Sequence, residues 1–437
     1  MQTGGRIAAA IEVLEDVLNR HQPIALALAA WGKAHRFAGS GDRNAIGGLV
    51  YDALRRRASV SWALESGGSR ALALGAASSA LGISTDAVVA ACDGSGHAPA
   101  ALSEVEQRGL TRSLDGAPDH VRADIPEWLW PRFVEVYGAS AVAEGQAMSR
   151  RAPADLRVNT QKSARDQVLT ELAEFGAEVS RFSPVGLRVP PPTGAGRTPN
   201  LQAEAAFQQG WFEIQDEGSQ IAALLVGARP GMNVMDLCAG AGGKTLAMAA
   251  AMQNKGQVYA YDEDRLRLKP IFDRVHRSGL RNIQILRGGD KQALGALGAK
   301  FDRVLVDAPC TGSGTWRRRP DAKWKLKPEA VLHRLKEQHE VLKVAARLVK
   351  PGGRLIFVTC SILPEENGGQ VSAFLRDNGA FSLVPYADVW REVLPGEPPV
   401  SADGGTGGLM LTPGKHGTDG FYISVLVRQV ECKGPET

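Results

Sequence analysis

Between residues 233 and 361 the chain alternates strand and helix, and this pattern limits the possible folds more than any other part of the sequence. "NVMDL", "QVYAYD", "NIQILRG", "FDRVLVDAP" and "RLIFVTC" are five short, mostly continuous apolar runs. "KTLAMAAAMQ", "DRLRLKPIFDRVHRSG" and "VLHRLKEQHEVLKVAARLVK" carry helical spacing and separate most of them. Strands that are apolar on both faces and joined by helices predict a parallel sheet covered on each side. "GFYISVLVRQ" adds a late strand at 420–429.

In such a sheet, ligands bind beyond the carboxyl ends of the strands. The first strand leads into "MDLCAGAGGKT" at 235–245, a turn whose glycines let backbone approach a ligand closely. The turn is not a phosphate-binding Walker loop, because Cys238 stands where the first glycine is needed. Nor is it the dinucleotide motif, since Thr245 follows at the position of the third glycine. The next three strands end in Asp262, Asp290 and Asp307. An acidic rim of this kind suits a nucleoside carrying positive charge, such as S-adenosylmethionine, better than a triphosphate.

The five cysteines, at 92, 238, 310, 360 and 432, are scattered and include no Cys-x-x-Cys pair. They support neither a disulfide framework nor a metal site, and a reducing cytoplasm is the expected setting. Cysteine is often a small core hydrophobe. However, Cys310 and Cys360 close the fourth and fifth strands, which should be neighbours ~4.8 Å apart. Two thiols on one sheet edge beside a methyl donor fit methylation of carbon-5 of a pyrimidine. That carbon becomes nucleophilic only after a thiolate adds to carbon-6, and a base must later remove the carbon-5 proton. Asp307 is placed to hydrogen-bond a cytosine ring nitrogen and amino group. Spacing alone does not say which cysteine attacks.

The charge balance is a mild +4, compatible with nucleic acid without requiring it. The sharper signal is local. Residues 317–327 hold six bases and one acid, with Trp316 and Trp324 among or beside them. That composition suits phosphates and unpaired bases, and Arg317, Arg318, Arg319, Lys323 and Trp324 are the expected RNA contacts.

At 437 residues the chain should hold two or three domains. Its first hundred residues read as helices, with Ile7, Ile11, Leu14 and Leu18 recurring at helical spacing. Residues 93–120 read as a loop-rich connector. A small α/β module follows from 154, with Arg157, Arg165, Arg181 and Arg188 as further RNA candidates. No signal peptide and no membrane span are expected.

"DLCAGAGGKT", "DAPCTGSGTWRRRPDAKW" and "TCSILPEEN" resemble the signature segments of the RsmB/Fmu (Sun) family of RNA cytosine-carbon-5 methyltransferases. More weakly, "GDRNAIGGLVYDALRRR" resembles a NusB-type helical RNA-binding domain. The resemblance implies a class I S-adenosylmethionine-dependent methyltransferase with a Rossmann-like, seven-stranded sheet. It implies a NusB-like all-α domain over 1–125, linker helices and the α/β module over 126–200, and a catalytic domain over 201–432. Cys360 would be the nucleophile and Cys310 would assist product release. Cys238, Ala239, Gly240, Ala241, Gly242, Gly243, Lys244, Asp262, Asp290 and Asp307 would hold S-adenosylmethionine. One departure is that Gly240-Ala241 stands where the family usually has Ala-Pro. The expected substrate is cytosine in small-subunit (16S) ribosomal RNA, and the expected enzyme is a cytoplasmic monomer. Transfer RNA is the alternative target, and a non-catalytic assembly factor the alternative role.

Overall fold

The computed structural model describes residues 1–196 and 199–430. Cys432 and the expected domain end at 432 lie outside the described residues. The chain divides into two compact units. One comprises Met1–Ala152, Pro191–Pro199 and Trp316–Leu326; the other comprises Pro153–Pro190, Asn200–Thr315 and Lys327–Thr437. Among the described residues, no helix is long and apolar enough to cross a membrane.

The first unit is helical. Helices Thr3–Asn19, Ser40–Arg55 and Ser69–Leu81 surround one core containing Ile7, Leu14, Ile46, Leu49 and Leu72. Ile11 and Leu18 pack at its margin, so the predicted apolar stripe is the buried face of the first helix. A side chain at Gly75 would begin 2.5 Å from Val60 Cγ1, so glycine is what lets the helix Ser69–Leu81 approach the short helix Arg57–Ala63 so closely. The expected connector at 93–120 is corrected in part. It contains the helix Glu104–Thr111, started by a reciprocal capping box between Ser103 and Glu106.

The basic segment Trp316–Leu326 belongs to this helical unit, although it is reached from the large sheet. Trp316 is buried and stacks on Phe133 with ring centroids 6.4 Å apart. Arg317 is buried, and its carbonyl accepts from Arg55 Nε at 2.8 Å. Lys323 is 1% exposed and donates to the Arg55 carbonyl at 3.1 Å. Trp324 Nε1 donates to the Leu54 carbonyl at 2.6 Å. The expectation that this cluster as a whole faces RNA is therefore corrected for Trp316, Arg317 and Lys323. Trp324 is half-buried and committed through its ring nitrogen; Arg318 is half-buried and Arg319 exposed. Counting charge in the sequence could not separate bases that anchor the segment from bases that face solvent.

Burial pulls the Lys323 ammonium down to about 8, against the opposing field of Asp124. Asp124 is itself buried and accepts from the Ser59 amide and hydroxyl at 2.9 and 2.8 Å. Replacing Lys323 with Met keeps the volume but removes the larger of the two cationic fields on that carboxylate, leaving it that of Arg56. The expected loss is about 3 kcal/mol in unfolding of the helical unit, followed by denaturant titration. A loss within experimental scatter would mean that the ammonium contributes nothing to holding the segment.

The second unit contains two sheets. Strands β1 (Ala154–Val158), β2 (Glu178–Val179), β3 (Gly186–Val189) and β4 (Phe212–Ile214) form the smaller, antiparallel one in the order β2-β3-β1-β4. Leu156, Val158, Val168, Leu187 and Phe212 form its core. Two expected RNA contacts prove internal. Arg157 is buried with its Nε on Gln215 at 2.6 Å, and Arg188 is clamped by Asp155 at 2.6 Å. Arg165 donates to the Pro184 carbonyl, and Arg181 remains exposed over the Phe182 ring.

The larger sheet is built from β5 (Asn233–Asp236), β6 (Gln257–Ala260), β7 (Ile283–Ile285), β8 (Phe301–Asp307), β9 (Val349–Thr359), β10 (Phe381–Val384), β11 (Leu409–Leu411) and β12 (Phe421–Arg428). Its order is β10-β12-β9-β8-β5-β6-β7, with β11 paired to β12. The first five of these strands run parallel, while β12 lies antiparallel between β9 and β10. This is the class I methyltransferase topology. The order reverses at β5, so the carboxyl ends of β5, β6 and β8 flank the switch point where such sheets bind ligands.

Candidate active site

The turn after β5 is shaped by two left-handed glycines. Gly240 and Gly242 have φ of +49° and +82°. A side chain at Gly242 would begin 2.4 Å from Ile271 Cγ1. The Gly240 amide donates to Asp262 Oδ2 at 2.9 Å, which ties the turn to the end of β6. The Asp264 amide occupies Asp262 Oδ1, also at 2.9 Å. Each Asp262 oxygen still has a lone pair for a ligand hydroxyl. Arg274 braces the turn from behind, donating to the Ala241 carbonyl at 2.8 Å while paired with Glu213. Sequence reasoning missed Arg274, because no motif marks one arginine in a strongly amphipathic helix.

The other expected residues lie along the same edge. Asp307 ends β8, and Lys244 Nζ reaches its Oδ2 at 2.8 Å. Burial alone would pull the Lys244 ammonium down, but Asp307, helped by Asp236, offsets it and the net shift is upward. Asp290 follows β7 and caps the next helix through the Ala293 amide at 2.9 Å. Cys238 is half-buried behind the turn, its thiol pushed well up by burial and by the neighbouring acids.

Asp236 was not singled out in the sequence, yet it is the most perturbed acid here. It is buried at the end of β5, and Thr245 Oγ1 donates to its Oδ2 at 2.6 Å. Its Oδ1 has no hydrogen-bond partner among the described residues. Burial pushes it up to about 7, with Asp307 adding to the rise and Thr245 opposing it. A left-handed glycine turn, strand-end acids and an unmatched buried oxygen together fit a ligand that carries hydroxyls and positive charge.

The raised Asp236 has a consequence for stability. Between pH 4 and about 7 the folded protein keeps a proton that the unfolded chain has released. Its contribution to stability therefore falls as pH rises through that range. Asp236→Asn removes this dependence. The wild type should lose on the order of a few kcal/mol relative to the variant between pH 5 and 8, read from paired thermal melts. Parallel melting profiles would show that Asp236 is ionised throughout.

The two thiols stand together. Asp307 and Val358 are register partners in the β8–β9 pair, and the chain continues from each to Cys310 and Cys360. Their sulfur atoms are 3.4 Å apart, and both cysteines are free and half-buried. The contact with the Cys360 thiol and burial push Cys310 well above the ordinary thiol range. Cys310 is thus held as a neutral thiol at physiological pH.

A family model described as 16S rRNA methyltransferase RsmB/F matches residues 223–427, and one described as an RsmF/B-like ferredoxin-like domain matches 125–194. The ribosomal RNA small subunit methyltransferase B of Sodalis glossinidius is 33% identical over 336 residues, 76% of this chain and 72% of that protein. The chain belongs to the RsmB/F family. The RsmB/F match begins before β5 and ends within β12, so it takes in the whole large sheet. The probable small subunit methyltransferase B of Synechocystis is also 33% identical, and the chain spans 66% of that protein's length. The crystal structure of PH0851 superposes with a TM-score of 0.73 at 27% identity, covering 98% of this chain and 99% of that one.

Proposed function

We propose that this RsmB/F member is an S-adenosylmethionine-dependent RNA methyltransferase that forms 5-methylcytosine in small-subunit ribosomal RNA. The observation that carries the reading is the 3.4 Å contact between Cys310 and Cys360 at the ends of adjacent parallel strands. Cys360 packs at the margin of the large-sheet core, but core packing gives no reason for a second free thiol to meet it at a ligand-binding edge. A reducing cytoplasm, where such a pair stays reduced, is the compartment that fits.

The turn from Cys238 to Lys244, with Asp262 and Asp290, would hold S-adenosylmethionine, which when bound supplies the methyl group. Cys360, its thiol proton lost to solvent, adds to carbon-6 of the cytosine as a thiolate; the carbon–sulfur bond forms as the carbon-5–carbon-6 π bond breaks, and the displaced electron pair makes carbon-5 nucleophilic. Asp307 and Lys244 form an ion pair next to the thiols, where they can bind the cytosine's polar edge and the charge that develops on it. Once carbon-5 carries its methyl, its proton departs to a base and the carbon–sulfur bond breaks, returning Cys360. We assign Cys310, whose sulfur touches that of Cys360, to that release. Arg318 and Arg319 in the helical unit, and separately Arg181 in the other unit, are candidates for phosphate contacts.

Methyl transfer to ribosomal RNA, scored by the nucleoside formed, tests this reading. Label in transfer RNA alone would keep the chemistry and change the substrate.

A further inference from the structure

One buried acid beside the thiols is used by none of this chemistry. Glu366 lies in the 3-10 turn Pro364–Glu366 that follows β9, and it is fully buried. Its Oε1 accepts from the Thr311 amide at 2.9 Å and from Gln338 Nε2 at 3.1 Å. Its Oε2 accepts from Thr311 Oγ1 at 2.6 Å and from the Ser361 hydroxyl. Thr311 directly follows Cys310, and Ser361 directly follows Cys360. One carboxylate therefore grips the residue next to each thiol.

The grip extends to both loops. Gln338 Nε2 also donates to the carbonyl of Pro309, on the other side of Cys310, at 3.0 Å. Ser313 and Ser361 hydroxyls meet at 3.0 Å, and the Ile362 amide donates to Ser313 Oγ at 3.0 Å. The Gly314 amide donates to the Cys360 carbonyl at 2.9 Å. Burial pushes Glu366 above the ordinary carboxylate range, while the Ser361, Thr311 and Gln338 donors pull it back. An apolar residue would fill this space without that desolvation cost. What it could not do is bind two separate loops to a single point.

We propose that Glu366 is the positioning residue that sets the spacing of the two thiols. By holding Thr311 and Ser361 on one carboxylate, it fixes Cys310 and Cys360 so that one can bond the base while the other serves release. The inference rests on the thiol reading above, and a displacement of about 1 Å in such a pair is enough to cost roughly 100-fold in rate.

Two readouts test it. The first is the rate at which a Cys310→Ala protein forms a covalent RNA adduct, compared with the same protein carrying Glu366→Ala. The second needs no RNA. It is the rate at which diamide joins Cys310 to Cys360, taking up the two hydrogens lost as the S–S bond forms. With melting temperature and S-adenosylmethionine affinity held, Glu366→Ala should slow adduct formation by roughly 100-fold and slow disulfide formation as well. Glu366→Gln, which keeps the Oε1 acceptor, should fall between it and the parent protein. Parental rates in both assays would overturn the proposal. Should Glu366→Ala fail to fold, Thr311→Val removes one arm of the clamp at constant shape. It must then slow both reactions, and parental rates in that variant would equally overturn the role. An absence of adduct in Cys310→Ala itself would instead sink the covalent reading, leaving the disulfide rate to decide on Glu366.

Discussion

Cys360→Ser is expected to lower methyl transfer by roughly 10⁴-fold or more while leaving S-adenosylmethionine binding nearly unchanged. The substitution changes one atom. A serine hydroxyl is almost never ionised near neutral pH, so it lacks the nucleophilicity that a thiolate supplies. The glycine turn, Asp262 and Asp290 follow β5, β6 and β7, and the hydrogen bonds that shape them join Gly240 and Asp264 to Asp262, Thr245 to Asp236 and Ala293 to Asp290 rather than running to Cys360. Single-turnover transfer measures the first effect and equilibrium titration of the cofactor the second. Turnover within tenfold of wild type would remove Cys360 as the nucleophile, and a matching fall in cofactor affinity would reassign it to the binding site.

The second large effect is the accumulation of an intermediate. Cys310→Ala should trap a covalent RNA–protein adduct, seen as a band of reduced mobility that survives denaturant, with turnover down by roughly 10²- to 10⁴-fold. Cys310 sits 3.4 Å from Cys360 and is held neutral, so its removal leaves addition to carbon-6 possible and impairs the later release. Removing a half-buried thiol should cost only about 1 kcal/mol of stability. The band should disappear when Cys360→Ser is added. An adduct in the double variant would place the covalent bond on another residue. Normal turnover without a band would take Cys310 out of the mechanism.

Much of this architecture is legible in the residues. The strands β5 to β9 are apolar runs punctuated by aspartates and cysteines, and such a run has few other places in a soluble fold. The α/β character of the small module was equally readable, because the apolar period changes at glycines and prolines. Strands β4, β10 and β11 were not, because they lie outside the regular strand–helix alternation that marks β5 to β9. The helix Glu104–Thr111 was missed although Ser103 and Glu106 spell out its cap. There, glycine-rich flanks outweighed a valid local signal.

The site divides in the same way. The thiols and strand-end acids could be placed from topology alone, since register brings equivalent strand ends together. The basic segment could not. Whether Lys323 faces solvent or Asp124 depends on packing against helices nearly 200 residues away in sequence, which charge counting cannot detect. Glu366 likewise reads as an ordinary acid opening a helix until its four donors are seen converging from three elements.

The most direct test of the central claim is transfer of a labelled methyl group from S-adenosylmethionine to small-subunit RNA from cells lacking this protein, followed by digestion to nucleosides. Label recovered as 5-methylcytidine, and lost with Cys360→Ser, is the predicted result. Label on a ribose oxygen or an exocyclic nitrogen would contradict the account, because neither position needs a thiolate.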